Sequence, residues 1–564
     1  MDNKNVFVAV ALSMSVLLFW SAFIDPPKPN KGQTDIVKNE QVKSKEFDSG
    51  IVPNINETKI EKKISREASI KKTNRVLLEN NKIRGSISLE GAVIDDLSFK
   101  NYKENLKSSN AVVFLSPKET DDGYFIESGW ASIGNKVRVP NNKSIWSVVG
   151  NKVLSNNNPI ILEWNNDSNL IFRKKISLDD NYLFKVVQEV ENKSSKKIEL
   201  YPYAQITRNA KPKDLQDFFI LHEGFIGVLD EELKEDGYKD IEEKKITREA
   251  DKGWIGITDK YWMTALVPES GENFKSTFLY QDAYKANFLL NKPKIIEPSS
   301  KISTEIKVFV AAKEVQTIDA YAANEKIEKL DLIIDWGWFY FFTKPLFFVA
   351  DYFFKLSGNF GVAIIIITII IRLTFFPLAN YSFKSMAKMK AVQPEMTRLK
   401  DLHKDDKTKL QQAMMALYKK EQINPASGCL PVLIQIPFFF AIYKMLFISL
   451  EMRHQPFFGW IKDLSAQDPT SLFNLFGLIP WDPPSFLIIG IWPILMGLTM
   501  WVQQKLNPAP TDPIQAKIFM FFPVFLTVIL ASFPSGLVLY WTVNNILTIA
   551  QQWFIMKRTK IKTN

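Results

Sequence analysis

Five apolar stretches between Gly361 and Trp553 constrain this chain more than any other feature. They run over Gly361–Phe376, Leu430–Leu450, Phe486–Val502, Ile518–Phe533 and Gly536–Trp553. As helices they are roughly 24–31 Å long, close to the hydrocarbon thickness of a bilayer. A sixth stretch, Val6–Ile24, opens the chain with 19 uncharged residues. Asp25, Pro26 and Pro27 follow it where a cleaved signal peptide would show small residues, which favours a retained signal anchor over residues 1–24. The expectation is a multi-domain membrane protein built on a polytopic α-helical bundle of six transmembrane helices.

Between the first stretch and the other five the text changes character. Residues 25–74 are rich in Lys, Asn, Glu, Ser and Pro and read as a flexible linker. From 75 to 328 short alternating runs are punctuated by Asn, Asp, Ser and Gly. Ile83, Gly85, Ile87 and Leu89 alternate with polar residues, as do Ile306, Val308 and Val310. Tyr182, Phe184, Val186, Gln188 and Val190 fall on one side of a strand, bracketed by turn residues at 179–181 and 192–195. Period two with this punctuation predicts an all-β sandwich, and the text from Ala312 to about Lys329 predicts a closing helix. Residues 329–356 are dense in Trp, Tyr and Phe but interrupted by Lys344, Pro345 and Asp351, which predicts an amphipathic helix at the headgroup boundary. Residues 357–564 hold the five remaining spans. Within them lies a helical hairpin over 380–428, in two pieces, Tyr381–Leu402 and Lys407–Gln422, with Asp405 and Asp406 as a cap between.

Charge sets the orientation. The 380–428 loop holds ten Lys and Arg against five acidic residues, whereas the 451–484 loop holds two against four. The positive-inside rule therefore places the hairpin and both termini in the cytoplasm and the β domain on the trans side, the periplasm of a Gram-negative cell. The lone cysteine, Cys429, excludes an internal disulfide, and three scattered histidines exclude a His/Cys zinc site. No phosphate loop, nucleophile elbow or metalloprotease motif occurs, so the chain is not expected to be an enzyme and no cofactor or metal is expected.

The residues that break the apolar pattern are the candidates for function. Arg372 sits in an otherwise apolar helix, where a charge facing lipid is costly. It either faces a wet cavity or snorkels to the cytoplasmic interface. Thr368, one turn earlier, shares its face. In the last span Trp541, Asn545, Thr548 and Gln552 form one helical stripe, with Asn544 and Gln551 beside it. Such a stripe either lines a cavity or bonds neighbouring helices together. Gln435, between Pro431 and Pro437, adds another buried polar group. The hairpin lysines, among them Lys384, Lys388 and Lys390, suit anionic lipid, a ribosome or another partner, or are simply solvated.

Several strings then resemble the YidC/Oxa/Alb family of membrane insertases. They are Leu221–Asp230 and Gly253–Trp262 in the β region, and Ser385–Lys390 with Gln393 and Pro394. Asn424-Pro425, Gly428–Pro431, Pro456–Trp460, Asp463–Ala466, Thr511–Ala516 and Pro534–Trp541 continue the run. The resemblance implies a periplasmic β-supersandwich and a five-helix core enclosing a hydrophilic groove open to cytoplasm and lipid. It implies that Arg372 is the groove arginine and that Thr368 and Trp541 are groove positions. It also implies nascent membrane proteins as substrates and the Sec translocon as partner, without nucleic-acid sequence recognition. Residues 471–489 depart from the family by lengthening the loop before the fourth span. A secondary transporter is the alternative reading, but it would usually show inverted repeats, which are not apparent here.

Overall fold

The computed structural model describes residues 63–558, apart from 107, 134–136, 214, 216–220, 338, 405, 425–429, 482, 485–486 and 509–512. The expected anchor over 1–24 and most of the linker lie outside the described residues. So do Cys429 and part of the Thr511–Ala516 string.

The last part of the expected linker carries a short helix. Helix α1 (Arg66–Lys72) starts where the Ser65 hydroxyl accepts the Ala68 N–H at 3.3 Å. Arg66 pairs with Asp96 and Ser69 donates to Glu119, which ties the helix to the β domain. Polar composition alone did not reveal these partners.

Two sheets follow, of eleven and nine strands among the described residues. Strand pairing is antiparallel except for Leu77–Leu78 beside Val153–Leu154. The predicted alternation sets the register. Val186 sits opposite Ile176 on one side and Ile306 on the other, and Phe184 opposite Leu178 and Val308, so buried rows cross the second sheet. The sheets pack face to face. Phe99 of the first stacks on Trp262 of the second at 4.8 Å, and the buried Tyr124 and Thr264 hydroxyls meet at 2.5 Å. The short helix α2 (Tyr238–Glu243) packs Tyr238 against Phe225 and Tyr284.

The chain leaves the sandwich through α3 (Val315–Asn324) and α4 (Tyr340–Ser357). It then enters α5 (Phe360–Thr374) and α6 (Phe376–Ala391), bent by 68° at Phe375. Pro377 has no N–H to continue the ladder and accounts for the break. The helical pieces α7 (Gln393–Leu402) and α8 (Lys407–Lys420) complete the hairpin. The first expected piece is thus continuous with the turn after the second span and broken at Val392, ahead of Pro394. Asp406 caps α8, accepting from Thr408 and Lys409. Three helices follow, α9 (Leu430–Ile448), α10 (Ile491–Leu506) and α11 (Pro513–Leu530), and then the longest, α12 (Ser535–Arg558).

Among the described residues no single helix is long and apolar enough to cross a membrane, although the bent pair α5–α6 is. The expected six spans are therefore not established by helix length. α12 has the length, but Asn544, Asn545, Gln551 and Gln552 dilute its apolar character. α10 begins at Ile491, not near Phe486, because Asp468 and Thr470 accept the N–H groups of Trp492 and Ile491 and fix its start there.

The sandwich and the helices are joined by charged groups rather than by a linker alone. Lys444 of α9 pairs with Asp335 at 2.8 Å, and Asp335 also accepts the His222 N–H. The Val315 N–H at the start of α3 donates to Glu451 at 2.8 Å. Arg453 lies over the Tyr261 and Trp262 rings and donates to the Glu104 carbonyl.

Candidate functional site

The helices place a polar cluster around Arg372. The Pro534–Trp541 string positions one wall. Ser535 N–H and Gly536 N–H donate to the carbonyls of Ala466 and Leu464 at 2.7 and 2.9 Å, fixing where α12 starts. Gly536 packs closely there, since a Cβ would stand 3.1 Å from the Leu464 carbonyl. Two turns on, Asn544 faces α5. Arg372 Nε donates to Asn544 Oδ1 at 2.9 Å, and Nη2 donates to the same oxygen at 2.5 Å. Nη2 also donates to Gln435 Oε1 of α9 at 3.1 Å. Three helices thus converge on one guanidinium.

Around it lies a small open cavity, with about 40 Å³ of room for water, lined by Thr368, Arg372, Gln435, Phe438, Tyr540 and Asn544 among others. Phe375 and Phe438 close part of it edge to face at 5.3 Å. Thr368 is buried, and its hydroxyl donates to the Ile364 carbonyl of its own helix. The partners of Arg372 are neutral carboxamides, and among the described residues no carboxylate forms an ion pair with it. Its charge is held in place but not cancelled. Arg372 thus points toward α9 and α12.

Thr368, Arg372, Gln435 and Asn544 are therefore brought together, and Trp541 and Asn545 are not. Asn545 Nδ2 donates to Thr499 of α10 at 3.2 Å, and Gln552 donates to Asn507 at 3.0 Å. Trp541 packs edge to face on Phe439 and beside Met496, Leu530 and Val538. Successive helical residues differ by about 100°, so Asn544 faces the arginine while its neighbour faces α10. That stripe bonds helices together. Tyr540, Phe375 and Phe438 were not singled out in the sequence. Only the i, i+4 spacing of Tyr540 and Asn544 hinted at the first. Of the hairpin lysines, Lys384 is exposed and Lys388 half-buried. Lys390 reaches the last carbonyls of α10, those of Lys505 and Leu506, at 3.4 and 3.5 Å, where a cation also suits the negative helix end. Among the described residues no His/Cys/Asp/Glu group could hold a metal ion.

An arginine- and amide-lined hollow thus lies among apolar helices that are tied to a β-sandwich. The 60Kd inner membrane protein family matches residues 352–563, and the YidC periplasmic domain matches residues 75–349. The membrane protein insertase YidC of Pelagibacter ubique is 54% identical over 563 residues, spanning the whole of both chains. That of Methylorubrum extorquens is 44% identical, over all of this chain and 96% of its own. A crystal structure of an active YidC insertase with its first transmembrane domain resolved is similar over 84% of this chain and 91% of its own, at 18% identity and a TM-score of 0.35. The chain belongs to the YidC family of membrane protein insertases. It is an inner-membrane protein whose β-sandwich is periplasmic. Nothing in these relationships favours the transporter alternative.

Proposed function

We propose that the cavity around Arg372 is the groove through which this insertase passes the polar segments of nascent membrane proteins. A hydrophilic segment must otherwise cross about 30 Å of hydrocarbon. A polar hollow inside the membrane shortens that path and supplies hydrogen bonds. The observation that carries the reading is the guanidinium held by Asn544 and Gln435 with no carboxylate, among the described residues, to neutralise it. Such a charge attracts acidic residues on the passing segment, and in a partly buried setting the attraction is several-fold stronger than in water. The apolar part of the substrate then moves sideways into lipid by the hydrophobic effect, and no chemical step or nucleotide is required.

Six transmembrane helices, with both termini and the basic hairpin in the cytoplasm, fit this route. The charge balance of ten basic against five acidic residues in the 380–428 loop supports that orientation and suits contacts with a ribosome and anionic lipid. Membership of the family supports a partnership with the Sec translocon. Site-specific crosslinking from Thr368 and Tyr540 to a stalled nascent membrane protein tests the route. Adducts from both positions are expected. Adducts only from outward-facing positions such as Ile518 would refute it.

A further inference from the structure

The 471–489 loop has no assigned role, and its composition is unusual for a water-facing loop. No charged residue occurs from Pro469 to Trp481. Phe473, Leu475, Phe476, Leu478, Ile479 and Trp481 are each 43–84% exposed. Large apolar side chains on a water-facing surface are normally scattered singly, and a contiguous exposed patch marks a partner.

Three further observations say what covers this one. The backbone is satisfied from within. The N–H groups of Phe476, Leu478, Ile479 and Trp481 donate to carbonyls of Ser471, Leu475, Asn474 and Ile479, and the Phe473 N–H donates to the Ser471 hydroxyl. Backbone entering hydrocarbon must be satisfied in this way, because lipid offers no partner. The turn is also held in a conformation that side chains of this size adopt at a cost. Leu475 and Phe476 are both left-handed, with φ of 49° and 58°. Finally, the loop is pinned at the mouth of the helical core. Leu472 N–H donates to the Ile489 carbonyl, the Ser471 hydroxyl to that of Leu487, and Asp468 and Thr470 cap α10. The excursion thus leaves and returns at the first turn of an apolar helix, on the side where Arg453 touches the β-sandwich.

We propose that the 471–489 loop inserts its apolar tip into the periplasmic leaflet of the bilayer, beside the mouth of the insertase core. The inference rests on the trans placement of this loop in the proposed function, but not on the groove. The tip supplies a membrane contact in addition to the helices, and Trp481 sits where the headgroups begin.

The test uses the full chain with Cys429→Ser and Leu478→Cys, labelled with an environment-sensitive fluorophore and reconstituted into phosphatidylcholine/phosphatidylglycerol vesicles. The expected result is blue-shifted emission, quenched by nitroxides on the lipid acyl chains and insensitive to iodide on both faces. Water-like emission quenched by iodide would overturn the proposal. So would blue-shifted emission that acyl-chain nitroxides leave unchanged, since that signals a protein contact instead. The same label at Val524→Cys, on the exposed face of α11, separates the two levels of the argument. Lipid-like emission at Val524 with water-like emission at Leu478 refutes the loop alone. Water-like emission at both refutes the membrane placement on which the inference rests.

Discussion

Arg372 shows how a charge is kept available inside an apolar core. Two carboxamides from different helices fix its direction, and neither neutralises it. Arg372→Ala should lower insertion of substrates with acidic translocated tails roughly tenfold, about 1.4 kcal/mol, and leave uncharged tails less affected. Arg372→Lys should retain much of the activity. Reconstituted insertion assays with paired tails measure both, and equal losses for the two tails would reject the charge role. The β domain holds a buried charge of a different kind. Arg208 pairs with Asp259 at 2.6 Å, lies over the Tyr124 ring and donates to the Tyr238 hydroxyl. Asp259→Ala strands that guanidinium and should cost roughly 3–5 kcal/mol, read by denaturant unfolding. Asp259 lies in the Gly253–Trp262 string, which the sequence marked without showing why.

At the scale of elements, small residues set how closely the helices approach. A Cβ on Gly497 of α10 would stand 2.0 Å from the Thr527 hydroxyl of α11. Gly497→Leu should force these helices apart and lower stability by about 1–3 kcal/mol, visible as a lower thermal midpoint in detergent. Elements with strong periodicity were legible beforehand. The strand Leu183–Asn192 buries the alternate residues the sequence singled out, and each of the five later apolar stretches holds a helix. What the pattern did not reveal was rotation. A polar stripe on α12 is equally compatible with a cavity and with a neighbouring helix. Asn545 went to Thr499 and Asn544 to Arg372 because of where α5 and α10 lie around it.

Across the whole molecule, the sandwich and the helices meet at groups whose ionisation is coupled to their docking. Burial pushes the Glu451 carboxyl up to about 7, with Glu314 and Asp351 adding to the rise, although the Val315 N–H opposes it. In the unfolded chain this group ionises near 4.5. The stability tied to its retained proton is complete below that value, declines as pH rises and is exhausted above about 7, a span of roughly 3 kcal/mol. Glu451→Gln keeps an acceptor for Val315 without the charge. Its thermal midpoint should match the parent near pH 4 and exceed it at pH 7.5, and a constant gap would rule out this linkage. Deleting residues 75–310 should leave insertion largely intact in a complementation assay, because α3, α4 and the Asp335–Lys444 pair remain.

The sequence by itself determined the kinds of segment this chain contains, since hydrophobic period and charge are local and each residue reports its own. It also marked Arg372, Thr368 and Gln435, because a polar residue in an apolar run is conspicuous without any neighbour. Tertiary structure alone decided which of these meet. The direction of Asn544, the separation of Trp541 and Asn545 from the cavity and the closure by Tyr540 and Phe438 depend on how helices distant in sequence are rotated and packed. No local pattern encodes that, since one polar helical face serves water, substrate or another helix equally well.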